Sequence, residues 1–171
     1  MKKRIVLFVV IILIISLCCV LSASAYTSQQ PSTSTPWNGV VSTSGSNLLI
    51  RICPTINCDV VYSLQNNSKI QIIGRVSAED GDWYRVEYDL AGSTGYVKAE
   101  YITSLNKTYG IVTAPSGLNM RDSASESGTI QALAPYGKSL SFIEKTVNDW
   151  YYVVWGVTDG FVSGTYFSTG S

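Results

Sequence analysis

Two stretches of the sequence decide the fold: GDWYRVEYDLAGSTGYVKAEYI at residues 81–102 and NDWYYVVWGVTDGFVSGTYF at residues 148–167. Both run from an acidic turn into a Trp-Tyr segment and then into a Gly-aromatic-Val segment. Short segments rich in Val, Ile, Tyr and Trp between Gly, Asn, Asp and Ser clusters are typical of strands joined by turns. Because helical periodicity is missing over any useful length, the sequence predicts an all-β body.

The same landmarks occur in the same order in both halves of the chain. Their spacing falls from 70 to 67 to 65 residues, as changes in loop length between strands would produce. A period near 65 residues is too long for a solenoid unit and predicts two consecutive small domains, placed at residues 38–103 and 109–168. The paired landmarks are Leu49-Ile50-Arg51 and Asn119-Met120-Arg121, Asp82-Trp83-Tyr84 and Asp149-Trp150-Tyr151, Gly95-Tyr96-Val97 and Gly160-Phe161-Val162, and Tyr101-Ile102 and Tyr166-Phe167.

The beginning of the chain has the pattern of an export signal. Three basic residues at positions 2–4 precede an apolar run over residues 5–21, and Ala23-Ser24-Ala25 supplies the small residues that signal peptidase requires. The predicted signal peptide is residues 1–25, and the protein is expected to be secreted or associated with the cell wall. The run approaches the ~17-residue minimum of a spanning helix, so an uncleaved membrane anchor is the competing interpretation.

Residues 26–37 consist mainly of Ser, Thr, Gln and Pro, a composition that predicts a flexible linker. Beyond the signal, nine basic residues remain against twelve acidic ones, which is a net charge of about −3. A chain with this balance lacks the basic surface of nucleic-acid-binding proteins, so nucleic acid is not an expected partner.

Each repeat contains a Leu-x-x-Arg element, a Ser/Thr/Pro-rich loop, an apolar strand, an acidic turn, a Trp-Tyr strand and a Gly-aromatic-Val strand. This order resembles the bacterial SH3-like family. The second copy, residues 118–121, matches the family pattern, whereas the first places Leu49 where Asn is usual. The resemblance implies two partly open barrels of five to seven short strands. It also implies a role in docking secreted proteins onto peptidoglycan or other cell-surface polymers.

The composition argues against an enzyme. The chain has no histidine, which is the commonest general base and the commonest zinc ligand. Family members that cut cell walls carry a separate catalytic domain, and no segment here is long enough to form one. We therefore expect no catalytic residues, no metal and no cofactor.

Cys53 and Cys58, with four residues between them, lie in the loop after Arg51. In a secreted protein the pair predicts a disulfide, which would contribute about 2 kcal/mol through loop entropy. A metal or redox role is the alternative, but two cysteines without histidine do not complete a zinc site. The resemblance implies that this loop borders the ligand groove. Arg51 and Arg121 are predicted to have structural hydrogen-bonding roles.

The acidic segment Glu79-Asp80-Gly81-Asp82 is interpreted as a hairpin turn rather than a calcium site or an acid/base pair. In the strand that follows, the period of two places Tyr84, Val86 and Tyr88 on the core face. Trp83 then lies on the opposite face, either as a partly exposed binding platform or as a cap on the barrel end.

Residues 150–155, WYYVVW, are apolar on both faces of the predicted strand. This surface either packs against the first repeat, forming a fixed tandem, or is an exposed aromatic strip for sugar rings and peptide stems. The candidate ligand-binding residues are Trp83, Trp150, Tyr152 and Trp155.

The sequence thus predicts a secreted, non-catalytic protein that binds peptidoglycan or another cell-wall glycan or peptide through tandem SH3-like domains. The alternative is an extracellular module for protein–protein interaction or sensing. Sedimentation with purified cell walls would separate the two hypotheses.

Overall fold

Strands of three to ten residues make up nearly all regular structure in the computed structural model, which describes residues 35–105 and 108–170. The predicted signal peptide and residues 26–34 of the predicted linker lie outside the described residues. Within the described part, no helix has the length and apolar character needed to cross a membrane.

The first barrel begins at Trp37 and its last strand ends at Ser104. It contains β1 (Trp37–Val41), β2 (Leu48–Arg51), β3 (Val60–Leu64), β4 (Lys69–Ala78), β5 (Gly81–Glu87), β6 (Thr94–Lys98), the 3-10 turn η1 (Ala99–Tyr101) and β7 (Ile102–Ser104).

The second barrel repeats these elements between Tyr109 and Thr169. It contains β8 (Tyr109–Val112), β9 (Leu118–Arg121), β10 (Ile130–Ala134), β11 (Ser139–Lys145), β12 (Trp150–Trp155), β13 (Thr158–Ser163), the 3-10 turn η2 (Gly164–Tyr166) and β14 (Phe167–Thr169).

The two sheets have the same topology. The strand orders are β3-β2-β6-β5-β4-β1-β7 and β10-β9-β13-β12-β11-β8-β14, so each strand of the second sheet corresponds to the strand seven places earlier. All seven strands of each sheet contribute to a single apolar core, which requires the sheet to curve around it. The structure confirms the predicted all-β fold of two consecutive barrels.

The first core follows the period-two pattern of β5. Val86 is fully buried, and Tyr84 and Tyr88 pack against the core, as the sequence predicts. Trp37 contacts the ring of Tyr84 edge-on, with 5.7 Å between the ring centroids, and is itself part of the core. The predicted linker was therefore one residue too long, because an indole that fills the core is not part of a flexible segment.

The two barrels pack against each other, with β1 and β4 of the first lying against β11 and β12 of the second. Asn38, Gln71 and Ser141 are the buried polar side chains among the described residues, and all three lie at this interface. Asn38 donates from Nδ2 to the carbonyl of Phe142 at 2.8 Å and accepts from the Ser141 hydroxyl at 2.6 Å. Burying polar groups with their partners satisfied makes the contact specific rather than a loose apolar association.

Gln71 and the β12–β13 turn form the other half of this interface. The backbone N–H of Gln71 donates to the carbonyl of Gly156 at 2.7 Å, and its side-chain Oε1 accepts from the Gly156 N–H at 3.3 Å. Val157, beside that glycine, packs against the core of the first barrel. The second barrel thus inserts a turn into the first, and the pair forms a fixed tandem.

Ion pairs flank the inserted turn. Lys138 pairs with Glu87 at 2.9 Å, with side chains 23% and 14% exposed, and Lys69 lies 3.5 Å from Asp159. Partial shielding from water makes such pairs stronger than fully exposed ones.

Candidate ligand grooves

Strand β12, for which the sequence left open either an exposed aromatic strip or packing against the first repeat, is covered on both faces. Trp155 is 5% exposed and packs in the second core with Tyr151 and Val153, because the period of two places these three residues on the same face. Val154, on the opposite face, is fully buried. Of the two arrangements considered for this strand, the structure contains the one in which it packs against the first barrel.

Tyr152 lies at the tandem interface. Its ring lies 5.0 Å from the ammonium of Lys69 and 4.9 Å from the ring of Phe161, and its hydroxyl donates to Asp159. Burial, with the hydrogen bond to Asp159, raises the pKa of Tyr152 above its usual 10.0. This network holds Tyr152 at the interface between the barrels, where Lys69 of the first barrel lies over its ring.

Trp83 and Trp150 occupy equivalent positions in β5 and β12. Trp83 is 1% exposed and Trp150 is 7% exposed, so neither is the partly exposed platform considered from the sequence. Trp83 is one of the largest fully buried side chains, and its indole Nε1 donates to Asp80 at 2.8 Å. Each tryptophan nevertheless contributes to the wall of a groove.

The first groove has a volume of about 330 Å³. It lies between the loop that precedes β2, the disulfide loop that follows β2, and the turn η1. The side chains that distinguish it are Leu49, Arg51, Ile56, Trp83, Lys98 and Tyr101.

The second groove, about 270 Å³ in volume, occupies the equivalent place in the second barrel. Corresponding positions of the two repeats line the two grooves. In each barrel, the residues that line the groove are spread over 50 residues or more of the sequence, and the fold brings them together. The matching side chains here are Asn119, Arg121, Glu126, Trp150, Ser163 and Tyr166.

Arginine anchors the loop beside each groove. Arg51 donates from Nη1 to the carbonyl of Cys58 at 2.6 Å, and Arg121 donates to the carbonyl of Gly128 at 2.7 Å. Both bonds span seven residues, so the two loops are held in the same way. The structural role predicted for these arginines is confirmed.

The predicted disulfide between Cys53 and Cys58 is present, with 5.8 Å between the Cα atoms. A second tie holds the same loop, since the N–H of Ile56 donates to Asp80 Oδ2 at 3.1 Å. Lys98 ion-pairs with the Asp80 carboxylate at 3.7 Å. Together the disulfide and Asp80 fix one wall of the first groove.

Asp80 belongs to the acidic segment at residues 79–82, which forms the β4–β5 hairpin turn, as predicted. The hydrogen bond from Trp83, followed by those from backbone N–H groups and the charge of Lys98, lowers the pKa of Asp80 below its usual 3.8. The carboxylate therefore organises the groove wall instead of being a merely solvated turn residue.

The two grooves differ in chemistry. Leu49 and Ile56 give the first groove an apolar wall, and Lys98 lies over the ring of Trp83 at 5.0 Å. In the second groove Glu126 pairs with Arg121 at 3.3 Å. The remaining differences are Asn119 for Leu49 and Ser163 for Lys98.

The sequence analysis missed the tyrosines on the rims of the grooves. Tyr101 is 42% exposed and Tyr166 is 50% exposed, each at the end of its 3-10 turn. Both were recognised as landmarks of the repeat. Their recurrence at the same place, on otherwise polar segments, was the available signal that they mark a site.

Comparison with known proteins agrees with this architecture. Residues 46–103 and 116–168 match a family model described as the bacterial SH3 domain. No curated protein matches the chain.

Among solved structures, NlpC2 from Trichomonas vaginalis is 18% identical, with a TM-score of 0.34, and the match covers 80% of this chain and 49% of that one. NlpC1 from the same organism is 17% identical, with a TM-score of 0.33, and the match covers 81% of this chain and 47% of that one. The chain thus spans about half the length of these structures.

Proposed function

The protein belongs to the bacterial SH3 domain family, and we propose that it is a secreted, non-catalytic protein that binds peptidoglycan or another cell-wall component through its two grooves. Domains of this family are typically binding modules. A disulfide in a small domain is in turn typical of extracellular proteins, where the environment is oxidising.

The recurrence of one groove at the same place in both barrels carries this proposal. Each groove combines an exposed tyrosine on its rim with a buried tryptophan and an anchored arginine in its wall. Aromatic faces with a few polar groups suit sugar rings and short peptides, which bind by stacking and hydrogen bonding. A repeated polymer offers such groups at many positions, so both grooves can be occupied together.

The fixed tandem strengthens this argument. Because the barrels are held by buried hydrogen bonds across their interface, the grooves keep a constant separation. When one groove is bound, the second binding event becomes intramolecular and avidity can rise by about 10² or more if the spacing matches the polymer. Weak binding in each groove is then sufficient for stable attachment to a wall.

The test is sedimentation of purified protein with isolated peptidoglycan sacculi. Residues 26–171 are used because they contain every described strand and both cores. Tyr101→Ala with Tyr166→Ala removes both rim aromatics, and we expect the bound fraction to fall at least tenfold, since each stacking contact is worth about 1 kcal/mol or more. Tyr136→Ala is the matched control, because Tyr136 is 68% exposed and lines neither groove.

Failure of the unaltered protein to sediment would overturn the wall-binding proposal and direct the search to extracellular protein partners. Equal losses in the rim variant and in Tyr136→Ala would contradict the assignment of the grooves. A fall in the turbidity of the sacculi would contradict the non-catalytic role.

A further inference from the structure

We infer that the first groove binds a ligand carboxylate through Arg51, whereas the second groove does not, because Glu126 already pairs with the equivalent Arg121. The inference rests on the proposed function and names the ligand chemistry of one of its two sites. It follows from a single difference between loops that are otherwise the same.

The loops after β2 and β9 have the same backbone conformation. The N–H of Ile52 donates to the carbonyl of Asp59 at 3.1 Å, and the N–H of Asp122 donates to that of Thr129 at 3.0 Å. The arginine that begins each loop ties one nitrogen to the carbonyl seven residues later. The two guanidinium groups are therefore held in equivalent positions on their groove walls.

A guanidinium has five N–H donors, so one bond to a loop carbonyl leaves most of them available. In the second groove, Arg121 uses Nη2 for the carboxylate of Glu126 at 3.3 Å. The residue five places after Arg51 is Ile56, whose hydrocarbon side chain has no hydrogen-bond acceptor. Within residues 35–105 and 108–170, Arg51 has no ion-pair partner.

The other cation of the first groove is already neutralised. Lys98 ion-pairs with the carboxylate of Asp80 and also donates to the Asp80 backbone carbonyl. Arg51 is consequently the positive group that a ligand anion meets in this groove. The fork of guanidinium donors matches the two oxygens of a carboxylate, and charge-assisted hydrogen bonds of this kind are about twice as strong as neutral ones.

The apolar wall identifies the rest of the ligand. Leu49 and Ile56 line the first groove with side chains 38% and 58% exposed. An aliphatic group beside a carboxylate is the chemistry of a peptide that ends in a small residue such as alanine. The occupant we assign to the first groove is the carboxyl terminus of such a peptide.

The test compares N-acetyl-Ala-Ala carrying a free carboxylate with the same peptide carrying a carboxamide. Both are titrated to millimolar concentration into residues 26–171, and backbone amide shifts of each loop are followed by NMR. We expect the first groove to bind the carboxylate about tenfold more tightly than the amide. The second groove should bind the two forms equally.

Reciprocal variants then exchange the deciding residue. Ile56→Glu should abolish the carboxylate preference of the first groove, and Glu126→Ile should create one in the second. Ile56→Gln is the neutral control of similar length, and it should keep the preference. Both positions are exposed loop sites, and none of the three variants removes the hydrogen bonds that anchor the arginines.

Absence of shifts near Arg51 with the carboxylate peptide, equal binding of the two forms, or a preference that survives Ile56→Glu would overturn the inference. Sedimentation with sacculi separates its failure from that of the proposed function. Protein that sediments but has no carboxylate preference refutes this inference alone. A preference without sedimentation refutes the wall-binding function and leaves the Arg51 site standing.

Discussion

The two barrels share one backbone plan but stabilise it differently. In the first, the loop after β2 is crosslinked by Cys53–Cys58, whereas the second has Ser123 and Gly128 at these positions. A Cβ atom placed on Gly128 would lie 2.5 Å from the Ser123 hydroxyl, so the two positions face each other without a covalent link. Backbone hydrogen bonds and the anchoring arginine are therefore sufficient to specify the loop, and the disulfide reinforces a shape that does not require it.

The turns that hold the two loops, β4–β5 in the first barrel and β11–β12 in the second, also use different side chains. Asp80 receives the N–H of Ile56 in the first barrel, whereas Asn148 donates from Nδ2 to the carbonyl of Ala124 at 2.9 Å in the second. One tie depends on a charged carboxylate and the other on a neutral amide. Reduction of the disulfide and exposure to acid should therefore destabilise the first barrel more than the second. Substitutions at the shared interface should destabilise both barrels.

The largest effect is expected at that interface. Gln71→Leu would leave the Gly156 N–H and the Ser139 carbonyl without their side-chain partners in a buried place, which should lower the free energy of unfolding by about 3 kcal/mol. Urea denaturation measures the loss. Gln131→Leu, at an exposed position in β10, is the control and should change stability by less than about 0.5 kcal/mol. Similar losses in both variants would mean that the barrels are not coupled through Gln71.

The second-largest loss of stability is expected when the disulfide is removed. Giving the first loop the residues of the second, Cys53→Ser with Cys58→Gly, should cost about 2 kcal/mol of unfolding free energy, because the unfolded chain regains loop entropy. NMR should find the Arg51 anchor and the loop conformation retained. Loss of the loop structure would show that the disulfide is required for it.

The reciprocal change, Ser123→Cys with Gly128→Cys, should form a second disulfide. Gly128 has no positive φ, so a cysteine fits its backbone. Thiol titration under oxidising conditions should detect no free cysteine among residues 26–171. Persistent thiols at these two positions would contradict the equivalence of the loops.

A smaller difference is expected between two lysines of the second barrel. Lys138→Met removes the partly shielded pair with Glu87 across the interface and should cost about 1–2 kcal/mol. Lys145→Met removes a pair with Asp149 whose side chains are 52% and 57% exposed, and should change stability much less, because water screens exposed pairs. Thermal denaturation of the two variants provides the measurement, and equal losses would refute the special position of Lys138.

The smallest and most local effect is the response to acid. Because the pKa of Asp80 is lowered in the folded state, its stabilising contribution is present above about pH 4 and is lost as pH falls through its folded pKa, below 3.8. The protection of the Ile56 amide against hydrogen exchange should therefore fall in acid more than that of the Gly128 amide, whose loop is held by the neutral Asn148. Asp80→Asn should remove this difference, and a difference that persists would refute the tie.

Local patterns predicted much of this molecule. The period of two placed Tyr84 and Val86 on the core face of β5, and the spacing of Cys53 and Cys58 indicated their pairing. The same period placed Trp150 and Tyr152 on one face of β12, but it did not predict whether that face is exposed or packed against the first barrel. A strand pattern specifies which side chains share a face, but it carries no information about which other domain lies over that face.

The sequence by itself determined the all-β fold, the two repeats and the elements that make up each barrel, because these depend on alternation, turns and short-range spacing. Only the tertiary structure decided that the barrels are joined rigidly and that their open surfaces are grooves rather than an aromatic strip. Gln71 and Ser139 meet across 68 residues of chain. Contacts of that kind arise from how two curved sheets pack, which no local pattern specifies.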